Sequence, residues 1–551
     1  MHALAEKLRL RTDPTIFFAS AGFALLFALA LVIAPDAIGA AFKAGRAWIV
    51  TNLGWFFILG VNVWLGFLVW AAASRHGHIR LGPKGARPEY TNLSWFTMLF
   101  AGGIGTVLMF WGVAEPISHF SNPPLPGVEP FSEDAAQDAI SIAIYHLGLH
   151  TWTIFTLPGL AFAYFINRYE LPVRVSSVFY PLLREGIHGP IGKAIDIASI
   201  LGTLFGVAVS LGLGSSQIAA GLDALWGTGT GPWVQVAILA VLTGVAITSI
   251  VVGLDKGVKF LSNINIGMAV GLMIFVLVFG STLFLLRGIV ETVGLYITNL
   301  PRLAFWNDML ADTSPDADGW GWQGGWTVFY WAWTVTWSPF IGLFVARISR
   351  GRTIREFVSG VLLAPSLFTL VWFAIFGWQA MGFDGIGAEA RAAMGAEAGQ
   401  ISAAVADSVP LAMFAFLEHF PLTTFIQGFA VVIVAIFFAT SSDSASLVVD
   451  MLCTGTPTPG PVHQRVFWGA AEGLVAAMLI LLAGDAGLDA LQQVITVVGL
   501  PIFVLVCMMI PSLIRGFAQE EIDHITIGTR PELSDFAREE DEAEPAARAA
   551  E

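Results

Sequence analysis

Twelve stretches of this chain are apolar for about 20 residues or more, the length a helix needs to cross roughly 30 Å of hydrocarbon. They fall at about 15–35, 48–73, 91–120, 137–167, 190–225, 233–252, 257–286, 326–348, 356–384, 420–450, 464–485 and 489–514. Inside a bilayer no water takes up a free N–H or C=O, so such stretches must satisfy their own backbones as helices. Composition agrees: at 56% hydrophobic and 12% charged residues, so much apolar surface cannot be hidden in a soluble core. The first stretch follows Lys7, Arg9 and Arg11 as a signal peptide would, yet no small-residue cleavage site is evident, and it reads as a retained helix. The predicted fold class is an all-α integral membrane protein with twelve transmembrane helices, lipid being its first partner.

Basic residues predict the orientation, since short loops rich in Lys and Arg stay in the cytoplasm. With both termini inside, 22 of the 27 Lys and Arg residues lie on the cytoplasmic side, and only Lys43, Arg46, Arg287, Arg302 and Arg391 lie outside. An even number of spans follows. Three segments are expected: a cytoplasmic stretch 1–14, a transporter domain 15–515, and an acidic cytoplasmic tail 516–551, disordered or loosely helical in character.

Several chemistries are disfavoured. Cys453 and Cys507, both in or beside apolar spans, offer neither a disulfide framework nor a zinc site. His146 and His150, four residues apart, share a face of the predicted helix and could ligate a metal, but no Cys or His-Glu-x-x-His pattern accompanies them. No phosphate-binding loop is present, which argues against an ATP-driven pump. The spans show no nucleophile–base pair, so the chain is read as no enzyme, with no cofactor and no nucleic-acid partner. A gradient must supply the energy.

Two features point to a site. Trp320, Trp322, Trp326, Trp331, Trp333 and Trp337 crowd one apolar stretch; indole is the best face for a quaternary ammonium, while an interfacial aromatic belt is the alternative, explaining the first three better than the last three. In the third span, Gly102, Gly103 and Gly105 weaken a helix by roughly 1 kcal/mol each. This fits either close helix packing or a discontinuous helix lining a cavity. The tenth span carries Thr440-Ser441-Ser442-Asp443-Ser444, and paired irregular stretches of this kind mark the midplane site of a secondary transporter. A serine-rich turn is the plainer reading there. Glu115 and Asp443 are the intramembrane carboxylates singled out as functional.

From these residues a resemblance emerges. Gly325-Trp326-Thr327-Val328-Phe329-Tyr330-Trp331-Ala332-Trp333, running into Ser338-Pro339-Phe340 and Ala346-Arg347-Ile348-Ser349-Arg350-Gly351-Arg352-Thr353, is similar to the signature of the betaine/choline/carnitine transporter family. Phe110-Trp111-Gly112-Val113-Ala114-Glu115-Pro116, His146 to Trp152, Ser210-Leu211-Gly212-Leu213-Gly214 and Gly253-Leu254-Asp255-Lys256-Gly257 match it in order. The likeness runs from about 15 to 515.

The resemblance implies a sodium-symporter-like fold with inverted five-helix repeats at about 91–286 and 326–514, a bacterial inner-membrane location, and a homotrimer. It implies import of a quaternary ammonium or related zwitterion. The aromatic box falls on Leu147, Trp152, Phe155, Trp333, Thr334 and Trp337, with Gly103 and Gly105 on the glycine-rich segment beside it; Leu147 and Thr334 stand where betaine carriers usually place tryptophan, and Phe155 where a tyrosine is usual. Sodium, the implied coupling ion, falls on carbonyls of Ala101 and Ile104 and on Phe437, Thr440 and Ser441. Ile341 stands where sodium-independent exchangers carry methionine, so symport is expected over exchange. An altered solute, such as ectoine or a sulfonium compound, is the alternative that Leu147 and Thr334 leave open.

Overall fold

A computed structural model of the chain describes residues 1–83, 85–101, 104–252, 255–310, 321–484 and 487–528, with backbone alone for 101, 104, 255–263, 483, 487 and 521–528 and for residue 100. The described chain is helical throughout, and its one β-bridge joins Arg80 to Thr353. The long helices are α1 (Pro14–Ile33), α2 (Pro35–Ala73), α3 (Asn92–Ala101), α4 (Ile104–Ser121), α5 (Glu133–Leu147), α6 (Leu149–Phe162), α7 (Pro190–Trp226), α8 (Pro232–Val252), α9 (Asp255–Phe279), α10 (Thr282–Ala304), α11 (Thr327–Ile348), α12 (Ile354–Asp384), α13 (Thr423–Thr454), α14 (Val462–Ala483) and α15 (Gly487–Gly528).

Local chemistry sets the starts of these helices. Asp13 caps α1 by accepting from the amides of Thr15 and Ile16, Ser132 caps α5, and Thr353 with Glu356 forms a capping box at α12. Proline at the first turn opens α1, α2, α7 and α8. α6 and α11 form the centre, packed on each other and on α7, α12, α2 and α15.

Among the described residues, eleven helices are long and apolar enough to cross a membrane. The third expected span is divided between α3 and α4, with Gly102 and Gly103 outside the described residues. The expected span 257–286 is corrected: α9 stops at Phe279, where the Gln379 side chain accepts the Ser281 amide at 2.7 Å, and a separate helix, α10, begins. α10 is itself among the eleven apolar helices, and it is amphipathic. One face exposes Leu283, Leu286, Val290 and Ile297, while Thr292 and Asn299 bond to Trp378 and Ser141 on the helices beneath. The second span begins at Pro35 rather than 48.

Two further expectations are revised. The tenth span is not interrupted: α13 runs unbroken from Thr423 to Thr454 through the hydroxyl-rich stretch. The fourth span is broken instead, at Gly148 (φ −97°, ψ −123°). α15 continues past residue 515 to Gly528, and its Glu520 pairs with Arg168 and Tyr164, so the start of the expected tail belongs to the helical body.

Candidate functional site

α6 and α11 run in the same direction and stay in step. Gly159 and Gly342 meet where the helices are closest, since a Cβ at Gly342 would lie 3.0 Å from the Gly159 nitrogen. Toward the start of α6 the rings of His150 and Trp331 stack at 5.9 Å, and beyond the break His146 Nε2 on α5 is 2.9 Å from Thr327 Oγ1. Partner residue numbers differ by 181 at His146–Thr327 and at His150–Trp331 and by 183 at Gly159–Gly342. This offset of 181–183 puts Trp152 level with Trp333 and Thr334, and Phe155 level with Trp337. Phe155 and Trp152 lie four and seven residues before the crossing, about 6 and 10 Å along the axis.

The face of α11 that carries these residues differs from the rest of the helix. Val328 to Ala332, Val335, Thr336 and Ser338 have no accessible surface, whereas Trp333, Thr334, Trp337 and Phe340 keep 4–7%. At positions i, i+1, i+4 and i+7 they form one stripe. On α6, Phe155 also keeps 7%, its ring 5.6 Å from that of Trp152. Leu147 is buried at the last turn of α5. α7 closes the third side: Ser210 Oγ accepts the Trp333 indole N–H at 3.0 Å, and Gly206 lies against Thr336 and Trp337. The indole nitrogens of Trp152 and Trp337 are buried with no hydrogen-bond partner among the described residues. They are donors held inside an aromatic wall.

Of the tryptophans that an interfacial belt would explain, Trp322 and Trp326 are half-buried and packed on the protein. Trp322 packs on Trp306 at 4.8 Å and Trp326 on His119 at 4.4 Å; Trp320 lies outside the described residues. They cover a polar network. Glu115 accepts from His146 Nδ1 at 2.6 Å and from the Tyr330 hydroxyl at 2.7 Å, all fully buried. A neutral His146 donating to the carboxylate accepts the Thr327 hydroxyl at its other nitrogen. His119 Nε2 stands 3.4 Å from the same carboxylate oxygen, outside hydrogen-bond geometry. The ligand atoms of Glu115, His119 and His146 lie within 4.8 Å of one another, but both carboxylate oxygens are already engaged, so the group reads as a brace joining α4, α5 and α11. Only the spacing of Glu115 and His119, one helical turn apart, hinted at it. The single helical face expected to carry His146 and His150 is corrected: Gly148 separates the two onto different helices, and His150 Nε2 goes to Asn62 Oδ1 at 3.1 Å.

The expected ion ligands are placed in part. Gly105 lies against the Phe437 ring, so close that a Cβ there would come within 2.1 Å of it, which brings the start of α4 onto α13. Gly103 lies outside the described residues, and Ala101 and Ile104 are described by backbone only, at the facing ends of α3 and α4. Thr440 Oγ1 donates to the Ile436 carbonyl at 2.8 Å and approaches that of Phe437 at 3.1 Å, leaving its lone pairs free to accept. Ser441 follows it, half-buried. Asp443, also on α13, accepts from Ser249 Oγ at 2.8 Å.

Residues 15–522 match the family model of betaine/carnitine/choline transporters. The chain is 46% identical, over 94% of its length and 82% of the relative's, to the ectoine/glycine betaine/proline transporter EctP of Corynebacterium glutamicum. It is 38% identical to a probable glycine betaine transporter of Desulfitobacterium hafniense, over 92% of this chain and 98% of that one. Against the osmo-dependent choline transporter BetT2 of Acinetobacter baylyi the identity is 37%, over 93% and 72%. With a family match spanning nearly its whole length and a helical architecture to suit, this chain is a membrane transporter, not an enzyme, and belongs to the betaine/carnitine/choline transporter family.

Proposed function

We propose that the protein imports a zwitterionic compatible solute of the betaine, ectoine or proline type across the bacterial plasma membrane, by sodium symport. The observation that carries this reading is the stripe of Trp333, Thr334, Trp337 and Phe340, which keeps 4–7% of its surface in the buried middle of α11, level with Phe155 and Trp152 on α6. A zwitterion presents a diffuse cation and a carboxylate. The indole faces suit the first, and the unpartnered indole N–H groups of Trp152 and Trp337 suit the second. Thr334, where a sixth aromatic ring would complete the box, leaves width for a ring-shaped solute, and the likeness to a transporter named for ectoine, glycine betaine and proline supports that choice.

Sodium coupling is supported by the chemistry of the donor set. Phe437 carbonyl, Thr440 and Ser441 offer hard oxygens beside the α3–α4 junction, and Ile341 supplies no thioether. The pairwise exchange of contacts, α6 on α11 as α12 on α4 and α7 on α13, supports two inverted repeats at about 91–286 and 326–514. Arg80, Arg168 and the 350–352 loop gather at one end of the bundle with the N-terminal segment and Glu520 at that same end, in keeping with cytoplasmic termini; a homotrimer is the proposed assembly.

Competition among ectoine, glycine betaine, proline, choline and carnitine for the purified carrier, with sodium and then potassium, tests the reading. Displacement by the zwitterions in sodium alone is the expected result. Displacement by choline alone, or with equal strength in potassium, would overturn it.

A further inference from the structure

Away from the aromatic box, α14 carries a carboxylate at membrane depth with very little to satisfy it. Glu472 is fully buried, and its only hydrogen bond among the described residues comes from Ser442 Oγ on α13, 2.9 Å from Oε2. Oε1 accepts no hydrogen bond of good geometry, and the donor nearest to hand is the fully buried hydroxyl of Ser446, one turn further along α13 and beside the same carboxylate. The helices are held close at this level. Gly469 lies against Ser446 Oγ, and Gly473 against Thr243 Oγ1 on α8, a buried hydroxyl without a partner among the described residues. Small residues four apart let neighbouring backbones approach in lipid, and here they bring oxygens rather than methyl groups to the carboxylate.

Basic neighbours are scarce. α1 and α8 contain no charged residue, α7 carries Lys193, Asp196 and Asp223 only near its ends, and α15 has none between Asp489 and Arg515. On α13 the nearby titratable group is Asp443, another acid, bonded to Ser249. An ionised carboxylate at such depth costs several kcal/mol unless something neutralises it. Here the free donors are hydroxyls, and the free acceptors are hard oxygens.

We propose that Glu472, with Ser442 and Ser446, is a site for a small monovalent cation, separate from the Thr440–Ser441 group and loaded once per transport cycle. A proton and a sodium ion share the chemistry it needs, a hard positive charge on Oε1. Ser442, one residue beyond Ser441 on α13, joins the site to the helix proposed to carry the coupling ion. The inference goes beyond that assignment and does not depend on it.

The test is the charge moved per solute, read from reversal potentials in proteoliposomes holding the full-length carrier, for the parent, Glu472→Gln and Ser446→Ala. Glutamine keeps the volume and can still accept from Ser442. A loss of one charge per solute in Glu472→Gln is expected. If the loss comes with loss of pH dependence, the cation is a proton; if it comes with a lower Hill coefficient for sodium, it is sodium. Ser446→Ala should shift half-loading without changing the charge count. Tryptophan-fluorescence binding of solute by Glu472→Gln checks that the variant is folded. Unchanged charge, pH and sodium dependence in a variant that binds solute would overturn the proposal; where Glu472→Gln binds no solute, Ser446→Ala decides, and an unshifted half-loading in it would overturn the proposal.

Discussion

Gly159 on α6 and Gly342 on α11 touch backbone to backbone, with nothing larger than a hydrogen between them. This contact fixes how far apart the two aromatic faces stand one to two turns away. Gly342→Ala should therefore widen the pair, because the new methyl meets backbone rather than a flexible side chain. Overpacking of this kind costs typically 1–3 kcal/mol. The expected result is a lower thermal midpoint in detergent and a raised KM, with Gly342→Val worse than Gly342→Ala. A variant with the parent's KM would show that the separation at the crossing does not set the width of the site.

Truncating the aromatic stripe tests the box directly. Trp337→Ala and Trp333→Ala each remove a ring worth about 0.5–2 kcal/mol of cation attraction, so apparent affinity for glycine betaine should fall by roughly 2- to 30-fold. Trp333→Ala also leaves Ser210 without its indole partner, and Trp333→Phe separates the two effects. Equal kinetics in parent and both alanine variants, with protein present in the membrane, would remove the site from this face.

How much of this was readable beforehand depended on the scale of the signal. A 20-residue apolar run announces itself, so most spans were placed from hydropathy, and six tryptophans between 320 and 337 drew attention to α11. The interruption at Gly148 and the continuity of α13 could not be read, since a lone glycine is tolerated in many helices and a run of Ser and Thr can be satisfied by its own preceding carbonyls, as Thr440 is by Ile436. α10 was run into the span before it, its apolar residues recurring with helical spacing among Arg287, Glu291 and Arg302. The brace was beyond reach: Glu115, His146 and Tyr330 lie 31 and 215 residues apart, and only packing of α4, α5 and α11 brings them together.

That brace makes its own prediction. Glu115→Ala strands the His146 and Tyr330 donors in a buried setting, and each buried donor left unsatisfied costs about 1–3 kcal/mol. A large fall in thermal midpoint or in yield from the membrane is expected, with Glu115→Gln milder because its carbonyl oxygen can still accept one of the two donors. Tyr330→Phe deletes one bond and should cost about 1–3 kcal/mol. If Glu115→Ala were as stable as the parent, the network would not hold α4, α5 and α11 together.

The proposed sodium ligands are testable through the hydroxyls alone. Thr440→Ala and Ser441→Ala each delete one hard oxygen beside the α3–α4 junction, and half-activation should move to higher sodium, further in the double variant than in either single one. Thr440→Ser keeps the oxygen and should keep the curve. A double alanine variant with the parent's sodium dependence would place the ion elsewhere.

Thr334 is the position where substrate choice should be most easily moved. It sits level with Trp152 and keeps 7% of its surface; Leu147 is tightly buried by comparison, at 2%. Thr334→Trp adds an indole face on the stripe that keeps some surface, whereas Leu147→Trp must displace its packed neighbours, so the first should alter preference and the second mainly lower the amount of folded carrier. Specificity is a difference between affinities, and bulk that helps one solute rejects another. Thr334→Trp is therefore expected to favour the acyclic trimethylammonium of glycine betaine and to weaken the cyclic solutes ectoine and proline. The measurement is the ratio of their inhibition constants in parent and variant. An unchanged ratio in a variant that still binds solute would mean that Thr334 does not face the substrate, and the width of the site would have to be sought at Phe155 instead.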